Sequence, residues 1–232
     1  MLGIIGAMDE EVAKIKEQME GVQVQTWAAM DFYRGTLEGK EVVVVRSGIG
    51  KVNAAVCAQI LADRYQVSGI VNTGIAGSLK AEIDIGDIVL STDALQHDMD
   101  ATNFGYPLGQ IPRMDVLSFP ADEKLRALAK ECCSRVNPDI HTYEGRVVSG
   151  DQFISDQAKK DWLIENFQGF CTEMEGAAIA QAAYLNGIPF LIIRAISDKA
   201  DNSASVDYPT FEAKAIVHSV NLMLEMIRRY EG

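Results

Sequence analysis

The run Phe190-Leu191-Ile192-Ile193-Arg194-Ala195-Ile196 decides the fold, because it is the strongest strand-like apolar stretch in the chain. Apolar residues at successive positions, rather than at every second one, are typical of a strand that is buried on both faces of a sheet. Helices must then cover both faces. The run contains one cation, Arg194, and a buried guanidinium needs an anionic partner. We expect Glu175 or Glu11 to supply it.

Other apolar runs and amphipathic segments alternate around this stretch. Further strands are predicted at Leu2–Ala7, Glu41–Arg46, Gly69–Asn72, Asp87–Leu90 and Arg146–Ser149. Apolar residues three and four positions apart predict helices at Val52–Tyr65, Asp122–Val136, Ser155–Phe167, Gly176–Asn186 and Thr210–Tyr230. This alternation predicts an α/β fold, a three-layer sandwich with a central β-sheet flanked by helices.

A predicted hairpin makes the central sheet mixed rather than purely parallel. Met30–Gly39 and Lys40–Ser47 read as two strands joined by a turn at Glu38-Gly39. The sequence contains no repeat, linker or low-complexity segment. We therefore expect one domain spanning residues 1–232.

The charge balance narrows the classes of partner. The 232 residues include 33 Asp and Glu against 21 Lys and Arg, which gives a net charge of −12. Such a chain repels phosphate at long range, so we expect neither nucleic acid nor a membrane surface as a partner. With only three His, acid–base chemistry is expected to fall on carboxylates.

The cysteines and the first residues point to a reduced compartment and to no metal. The four cysteines lack the spacing of a zinc site, so we expect no metal and no structural disulfide. Met1–Met8 is apolar, but acids follow at once and no basic residue precedes it, which is untypical of a signal peptide. We expect a cytoplasmic protein.

Three glycine-containing segments follow predicted strands. Gly3–Glu11 ends in an acidic helical turn, which the helix dipole explains as well as catalysis does. Arg46–Asn53 is either a phosphate cradle or a tight connection, since it lacks the spacing of a P-loop. Asn72–Ser78 is either a simple turn or a loop whose small residues let a ligand approach the backbone. The dinucleotide fingerprint Gly-x-Gly-x-x-Gly is absent.

Two carboxylates, Glu173 and Glu175, bracket Met174 after the predicted strand Gly169–Cys171. If the strand continues, both carboxylates point the same way. Like charges beside a buried strand end are costly unless they accept hydrogen bonds, and a vicinal diol can donate them. A solvated helix N-terminus explains one glutamate better than two.

These segments, in this order, resemble the nucleoside phosphorylase/nucleosidase superfamily and, within it, the bacterial 5′-methylthioadenosine/S-adenosylhomocysteine nucleosidases. The matching pieces are Gly3–Glu11, Ser47–Val52, Asn72–Gly77, Gly86–Val89, Phe104–Tyr106, Val148–Ile154, Glu173–Ala177 and Arg194–Asp198. Single pieces are weak signals, but eight in register cover almost the whole chain.

The resemblance implies a nucleoside phosphorylase-like fold and a hydrolase that needs no cofactor. The expected reaction splits the N-glycosidic bond of 5′-methylthioadenosine, S-adenosylhomocysteine or 5′-deoxyadenosine, in methionine salvage and the recycling of adenosylmethionine by-products. A phosphorolytic purine nucleoside phosphorylase, an aminodeoxyfutalosine nucleosidase and a nucleoside sensor without turnover are the alternatives. The family also implies a homodimer.

The resemblance assigns the catalytic roles to a few side chains. Asp198 corresponds to the general acid that protonates nitrogen 7 of adenine, with Ser197 beside it. Glu11 corresponds to the general base that activates water, assisted by Arg194. Carboxylates suit a reaction in which the sugar becomes cationic.

The resemblance also assigns the substrate contacts. Glu175 and Met174 correspond to residues at the ribose hydroxyls, with Glu173 close by. Phe153 corresponds to the residue that stacks on the purine. The other implied substrate contacts are Met8, Gly77, Ile154, Thr172 and Tyr208. From the neighbouring subunit, the resemblance implies Ile49, Phe104 and Pro112.

Two positions depart from the family pattern. Ile75 stands where several members have a hydroxyl residue that helps to place the water, so that contact is lost here. Ser78 replaces a common glycine, which predicts less backbone freedom after Gly77.

Overall fold

The computed structural model of the protein describes the backbone of residues 1–199 and 208–231, and the side chains of residues 1–199 and 215–231. Its strands are β1 Leu2–Gly6, β2 Glu20–Trp27, β3 Met30–Leu37, β4 Lys40–Arg46, β5 Gly69–Ser78, β6 Ile88–Gln96, β7 Phe119–Pro120, β8 Thr142–Ser149, β9 Cys171–Glu173 and β10 Phe190–Asp198. Its helices are α1 Asp9–Lys16, α2 Lys51–Ile60, α3 Glu123–Val136, α4 Gln157–Phe167, α5 Gly176–Leu185 and α6 Tyr208–Arg229.

The central sheet is mixed, as the hairpin predicts. β5 lies between β1 and β10 and runs parallel to both. From β1 the sheet continues through β4, β3 and β2, the last two joined by antiparallel pairing. From β10 it continues through β6, β8 and β9, and β9 pairs back onto β5. Five strands therefore close into a ring, and four extend from it as an open sheet.

Helices cover the sheet in two groups, which confirms the three-layer α/β sandwich. α2 packs against α5, whereas α1 and α3 pack against α6. Covered in this way, every residue of β1 and every residue of β10 before Asp198 is buried. The continuous apolar run at Phe190–Ile196 therefore predicts correctly that this strand is buried.

Two local predictions are wrong. Asn72–Ser78 is neither a turn nor a loop but the greater part of β5. The sequence pattern does not predict this because most of its residues are small and have low strand propensity. The neighbouring strands on both sides of β5 impose the extended conformation instead. β2 was not predicted, although Val22 and Val24 alternate with Gln23 and Gln25. This edge strand is exposed along its whole length, so the alternation marks no buried face.

β10 ends in a bulge that matters for the site. Ile196 pairs with Ala76 and Asp198 pairs with Gly77, so Ser197 is an extra residue in β10. In a regular strand Arg194 and Asp198, four positions apart, would lie on the same face, and the bulge interrupts this alternation between them.

Candidate active site

A cavity opens where the parallel strands β1, β5 and β10 end, which is the usual place for a ligand in an α/β sheet. Most of the predicted site residues line it. They are Met8, Glu11, Ile49, Gly77, Phe153, Ile154, Thr172, Glu173, Met174, Glu175, Ser197 and Asp198. The structure therefore brings together residues from six separate segments of the sequence.

Glu11 lies on the first turn of α1 and turns its carboxylate back toward β1. Oε2 accepts hydrogen bonds from the backbone N–H groups of Ala7, at 2.6 Å, and Met8, at 2.9 Å. Oε1 accepts a third from the N–H of Ile75, at 3.2 Å. Burial raises the pKa of Glu11, and the Arg194 charge and the three N–H groups only partly offset this effect. A carboxyl group held in this way is suited to take a proton.

The backbone of Gly74 explains how closely these groups approach each other. A Cβ atom at this position would lie 2.6 Å from Oε1 of Glu11 and 3.4 Å from Nη1 of Arg194. Only glycine leaves room for both side chains against β5.

Arg194 forms its ion pair with Glu173, and not directly with Glu175 or Glu11 as expected. Its guanidinium also donates to the carbonyl oxygen of Asn72, at 3.4 Å, and to the side-chain oxygen of the same residue. Burial disfavours the charge of Arg194, but Glu173, Glu11 and Glu175 outweigh this effect and raise its pKa. The guanidinium is not among the groups that line the cavity, so it acts on the site through Glu173 and through its field.

Glu173, the last residue of β9, and Glu175, two positions further on, differ in what they bind. Glu173 accepts hydrogen bonds from Ser149, from Arg194 and from the N–H groups of Glu175 and Gly176, so its lone pairs are largely used inside the protein. Glu175 accepts one hydrogen bond, from the N–H of Gly50 at 2.8 Å. It is therefore Glu175, the N-cap of α5, that keeps acceptor capacity for a diol.

The turn before α2 supplies the Gly50 N–H group. Gly48 and Gly50 have φ angles of 82° and 96°, which favour glycine. The next N–H, that of Lys51, donates to the carboxylate of Asp151 at 2.8 Å. Because carboxylates already occupy these donors, the turn is a tight connection rather than a phosphate cradle.

Glu175 has a strongly shifted protonation equilibrium. Burial, followed by the neighbouring charge of Glu173, raises its pKa to about 7. Folding therefore favours its protonated form, and the free energy of unfolding falls as pH rises from 4.5, the ordinary pKa of a glutamate, to about 7.

Glu175→Gln keeps an oxygen for the Gly50 N–H and removes the buried charge. We expect the variant to be more stable than wild type by about 2 kcal/mol at roughly pH 8, and the gain to be small at roughly pH 5. Urea denaturation at both pH values measures it, with the exposed Glu165→Gln as control. A gain that is the same at both pH values would contradict the assignment of the shift to Glu175.

Asp198 lies at the end of β10, beside the backbone of Gly77. Oδ1 is 3.3 Å from the hydroxyl of Ser197, and Oδ2 is 3.1 Å from the ammonium of Lys160 in α4. Sequence reasoning missed Lys160. Its signal is a lysine on the buried stripe of an amphipathic helix, in line with Leu163 and Phe167.

The apolar wall of the cavity is partly open to solvent. Phe153 and Ile49 line it with exposed fractions of 71% and 54%. Ile49 therefore belongs to the cavity of its own chain, and not to that of the neighbouring subunit as expected. Phe104 is 83% exposed, and neither Phe104 nor Pro112 lines the cavity of this chain. Tyr208 begins α6, but its side chain lies outside the described residues.

Both departures from the family pattern fit the structure. Ile75 contributes its backbone N–H to Glu11, which does not depend on its side chain. Ser78 is buried at the end of β5, and its hydroxyl bonds the N–H and the carbonyl of Lys80. Its φ angle is not positive, so glycine is not required there.

The described residues contain no group of three or more His, Cys, Asp or Glu side chains placed to hold a metal ion. Of the helices in this part of the chain, none combines the length and the apolar character that crossing a bilayer requires.

Comparison with known proteins agrees with the geometry. The model of the phosphorylase superfamily matches residues 1–228. The 5′-methylthioadenosine/S-adenosylhomocysteine nucleosidase of Halalkalibacterium halodurans is 44% identical over 229 residues, which cover 98% of each chain. The chain belongs to this nucleosidase family of the phosphorylase superfamily.

Solved structures share the fold of this nucleosidase family. The nucleosidase of Neisseria meningitidis in complex with methylthio-immucillin-A is 35% identical, with a TM-score of 0.93 over 99% of each chain. Futalosine hydrolase of Helicobacter pylori strain 26695 is 33% identical, with a TM-score of 0.90 over 99% of this chain and 97% of that one.

Proposed function

We propose that this protein hydrolyses the N-glycosidic bond of 5′-methylthioadenosine and S-adenosylhomocysteine, and of 5′-deoxyadenosine, releasing adenine and the 5′-substituted ribose. The observation that carries the proposal is that three carboxylates, Glu11, Glu175 and Asp198, line one cavity while each is held by different partners. We place the reaction in methionine salvage and the recycling of adenosylmethionine by-products, in the cytoplasm.

Each carboxylate takes one part of the reaction. Asp198 gives a proton to nitrogen 7 of adenine, so the base leaves as a neutral molecule. Glu175, which has acceptor capacity left, binds the ribose hydroxyls and faces the sugar as it becomes cationic. Glu11 accepts the proton of the attacking water. The Glu173–Arg194 pair holds this arrangement in place.

Apolar groups complete the substrate site. Phe153 stacks on the purine, and its exposed ring closes over the bound base. Ile154 offers its backbone to the adenine edge, and Met174 packs against the sugar. Met8, Gly77 and Thr172 line the same cavity, and we place Tyr208 at the substrate as well.

Glu11 also favours water over phosphate as the nucleophile. Its carboxylate fills a nest of three backbone N–H groups, which a phosphate would otherwise use. Among the described residues that line the cavity there is no Lys or Arg to bind an anion. The field of Glu11 repels phosphate as well.

The first test is the release of adenine from 5′-methylthioadenosine, with and without inorganic phosphate. We expect hydrolysis at the same rate in both, with the free 5′-thio-substituted ribose as product. A ribose 1-phosphate product that requires phosphate would instead establish a phosphorylase, and binding without turnover would establish a sensor.

Glu11→Gln and Asp198→Asn should each lower kcat by roughly a hundredfold or more, because each removes a proton-transfer group. Glu10→Gln is the matched control, since Glu10 lies in the same helical turn as Glu11 but is exposed. Steady-state kinetics on purified protein measures all three. Equal losses in Glu10→Gln and Glu11→Gln would contradict the role of Glu11.

The substrate range has a second candidate. The structural similarity to a futalosine hydrolase favours testing aminodeoxyfutalosine, which shares the ribose contacts but differs at the base or the 5′ substituent. We expect kcat/KM to be highest for the two adenine thionucleosides. Kinetics with all four nucleosides ranks them.

A homodimer is the second part of the proposal. Ile49, Val52 and Val56 form one exposed apolar stripe at and after the start of α2. The segment that leads to Phe104 lies next to it, since the ammonium of Lys51 is 2.6 Å from the carboxylate of Asp98. In a two-fold dimer this surface meets its own copy. Phe104 and Pro112 of one subunit then close the 5′ pocket of the other, which Ile49 of that other subunit already lines.

The double variant Val52→Glu and Val56→Glu should be monomeric, because it buries like charges in a self-complementary interface. We also expect it to lose most of its activity, since the 5′ pocket then lacks its outer wall. Sedimentation velocity and adenine release measure the two effects. Val217→Glu, at an exposed valine of α6, is the control and should stay dimeric. A fully active monomer would contradict this part of the proposal.

A further inference from the structure

Lys160 is a buried cation with no assigned part in the reaction. It lies on the covered face of α4 and is 2% exposed. Its ammonium donates to Oδ2 of Asp198 at 3.1 Å and to the carbonyl oxygen of Lys199 at 2.8 Å. A charge this deeply buried is costly unless it is paired, so the contact with Asp198 is a built feature of the site.

The two oxygens of Asp198 have different neighbours. Oδ2 faces the ammonium of Lys160, which can only donate a hydrogen bond. Oδ1 faces the hydroxyl of Ser197, which can both donate and accept, and which also lies 3.4 Å from the carbonyl oxygen of Ala76. A proton on Asp198 is therefore compatible with Oδ1 and not with Oδ2.

We propose that Lys160 is a positioning residue that holds Oδ2 of Asp198, so that the proton delivered to the purine resides on Oδ1. This inference rests on the proposed nucleosidase activity. The Oδ1–H bond gives its proton to nitrogen 7, and the N-glycosidic bond breaks with its electron pair passing to the base. Water adds to the sugar and loses a proton to Glu11. Asp198 is left as a carboxylate, which the ammonium of Lys160 stabilises.

Among the described residues, Lys160 is the cation whose contact with the carboxylate of Asp198 the structure shows directly. The thiol of Cys171 in β9 interacts with Asp198, but burial raises the pKa of Cys171 so far that the thiol stays neutral. Lys199 follows Asp198 and pairs with the carboxylate of Asp84. β5 contributes only backbone beside it, at Ala76 and Gly77.

The test is the pH dependence of kcat/KM for 5′-methylthioadenosine in Lys160→Met. The variant removes the positive charge beside the carboxylate that forms when the proton passes to the purine. We expect the alkaline limb of the profile to move up by roughly one pH unit and kcat at the optimum to fall about tenfold. Lys160→Arg, which keeps the charge, should restore the alkaline limb to near the wild-type position.

Lys159→Met is the matched control, because Lys159 is the preceding residue of α4 and its ammonium lies over the ring of Trp162. It should leave the profile unchanged. An alkaline limb at the wild-type position in Lys160→Met, whatever the loss in kcat, would overturn the inference. If Lys160→Met does not fold, Lys160→Gln removes the charge but keeps a donor, and the same upward shift is expected.

A double-mutant cycle separates action through Asp198 from a general structural effect. In an Asp198→Asn background, Lys160→Met should lower the residual rate less than about threefold, because there is no carboxyl proton left to place. A further tenfold loss in that background would overturn the inference.

The outcome for the wild type separates this inference from the proposed function. Wild-type protein that releases no adenine would refute the proposed function. An active wild type, together with an unshifted pH profile in Lys160→Met, would refute only the role of Lys160.

Discussion

Arg194 and Glu173 form an ion pair where β10 and β9 approach the cavity, and their side chains are only 2% and 3% exposed. A pair this deeply buried needs hydrogen bonds around it to offset the cost of desolvation, and every nitrogen of the guanidinium except Nε has a partner. Asn72 and Ile193 provide acceptors for the guanidinium, while Ser149 and the N-terminus of α5 provide donors for the carboxylate. The pair therefore joins β5, β8, β9, β10 and α5 at one point.

The protonation and hydrogen bonding of the other acidic residues in the site depend on this ion pair. With Glu173 occupied by Arg194, Glu175 is the one of these two glutamates that keeps acceptor capacity for a ligand, and the negative charge of Glu173 helps to raise its pKa. The charge of Arg194 acts in the opposite direction on both Glu11 and Glu175. Several acids can thus share a small, poorly hydrated space because one cation stands behind them.

The sequence predicts the parts of this design that depend on local pattern. The apolar run of β10, the hairpin, most helices and the family follow from periodicity and from motifs in register. The ion-pair partner of Arg194 does not, because the path of the chain after β9 is set by the helix that Glu175 caps and not by strand alternation. The bulge at Ser197 hides the relation between Arg194 and Asp198 in the same way.

Lys160 shows a second limit of sequence reasoning. The spacing of Lys160, Leu163 and Phe167 indicates that Lys160 is buried, but not that its partner is Asp198, 38 positions further along the chain. The sequence does not predict that Asn72–Ser78 is a strand for a related reason. The neighbouring strands, and not the small residues themselves, determine its extended conformation. The roles of the site residues come from the resemblance and stay predictions, although the structure gathers most of them around one cavity.

The nest of N–H groups around Glu11 has a consequence for how this fold diversifies. The donors belong to the backbone that follows β1 and to β5, so the sheet sets their positions and the surrounding side chains do not. In this chain a carboxylate from α1 fills the nest, and without it the same donors would be open to an anion from solution. Under the proposed reaction, one side chain on one helical turn therefore selects the nucleophile, and the groups that act on the leaving base need not change.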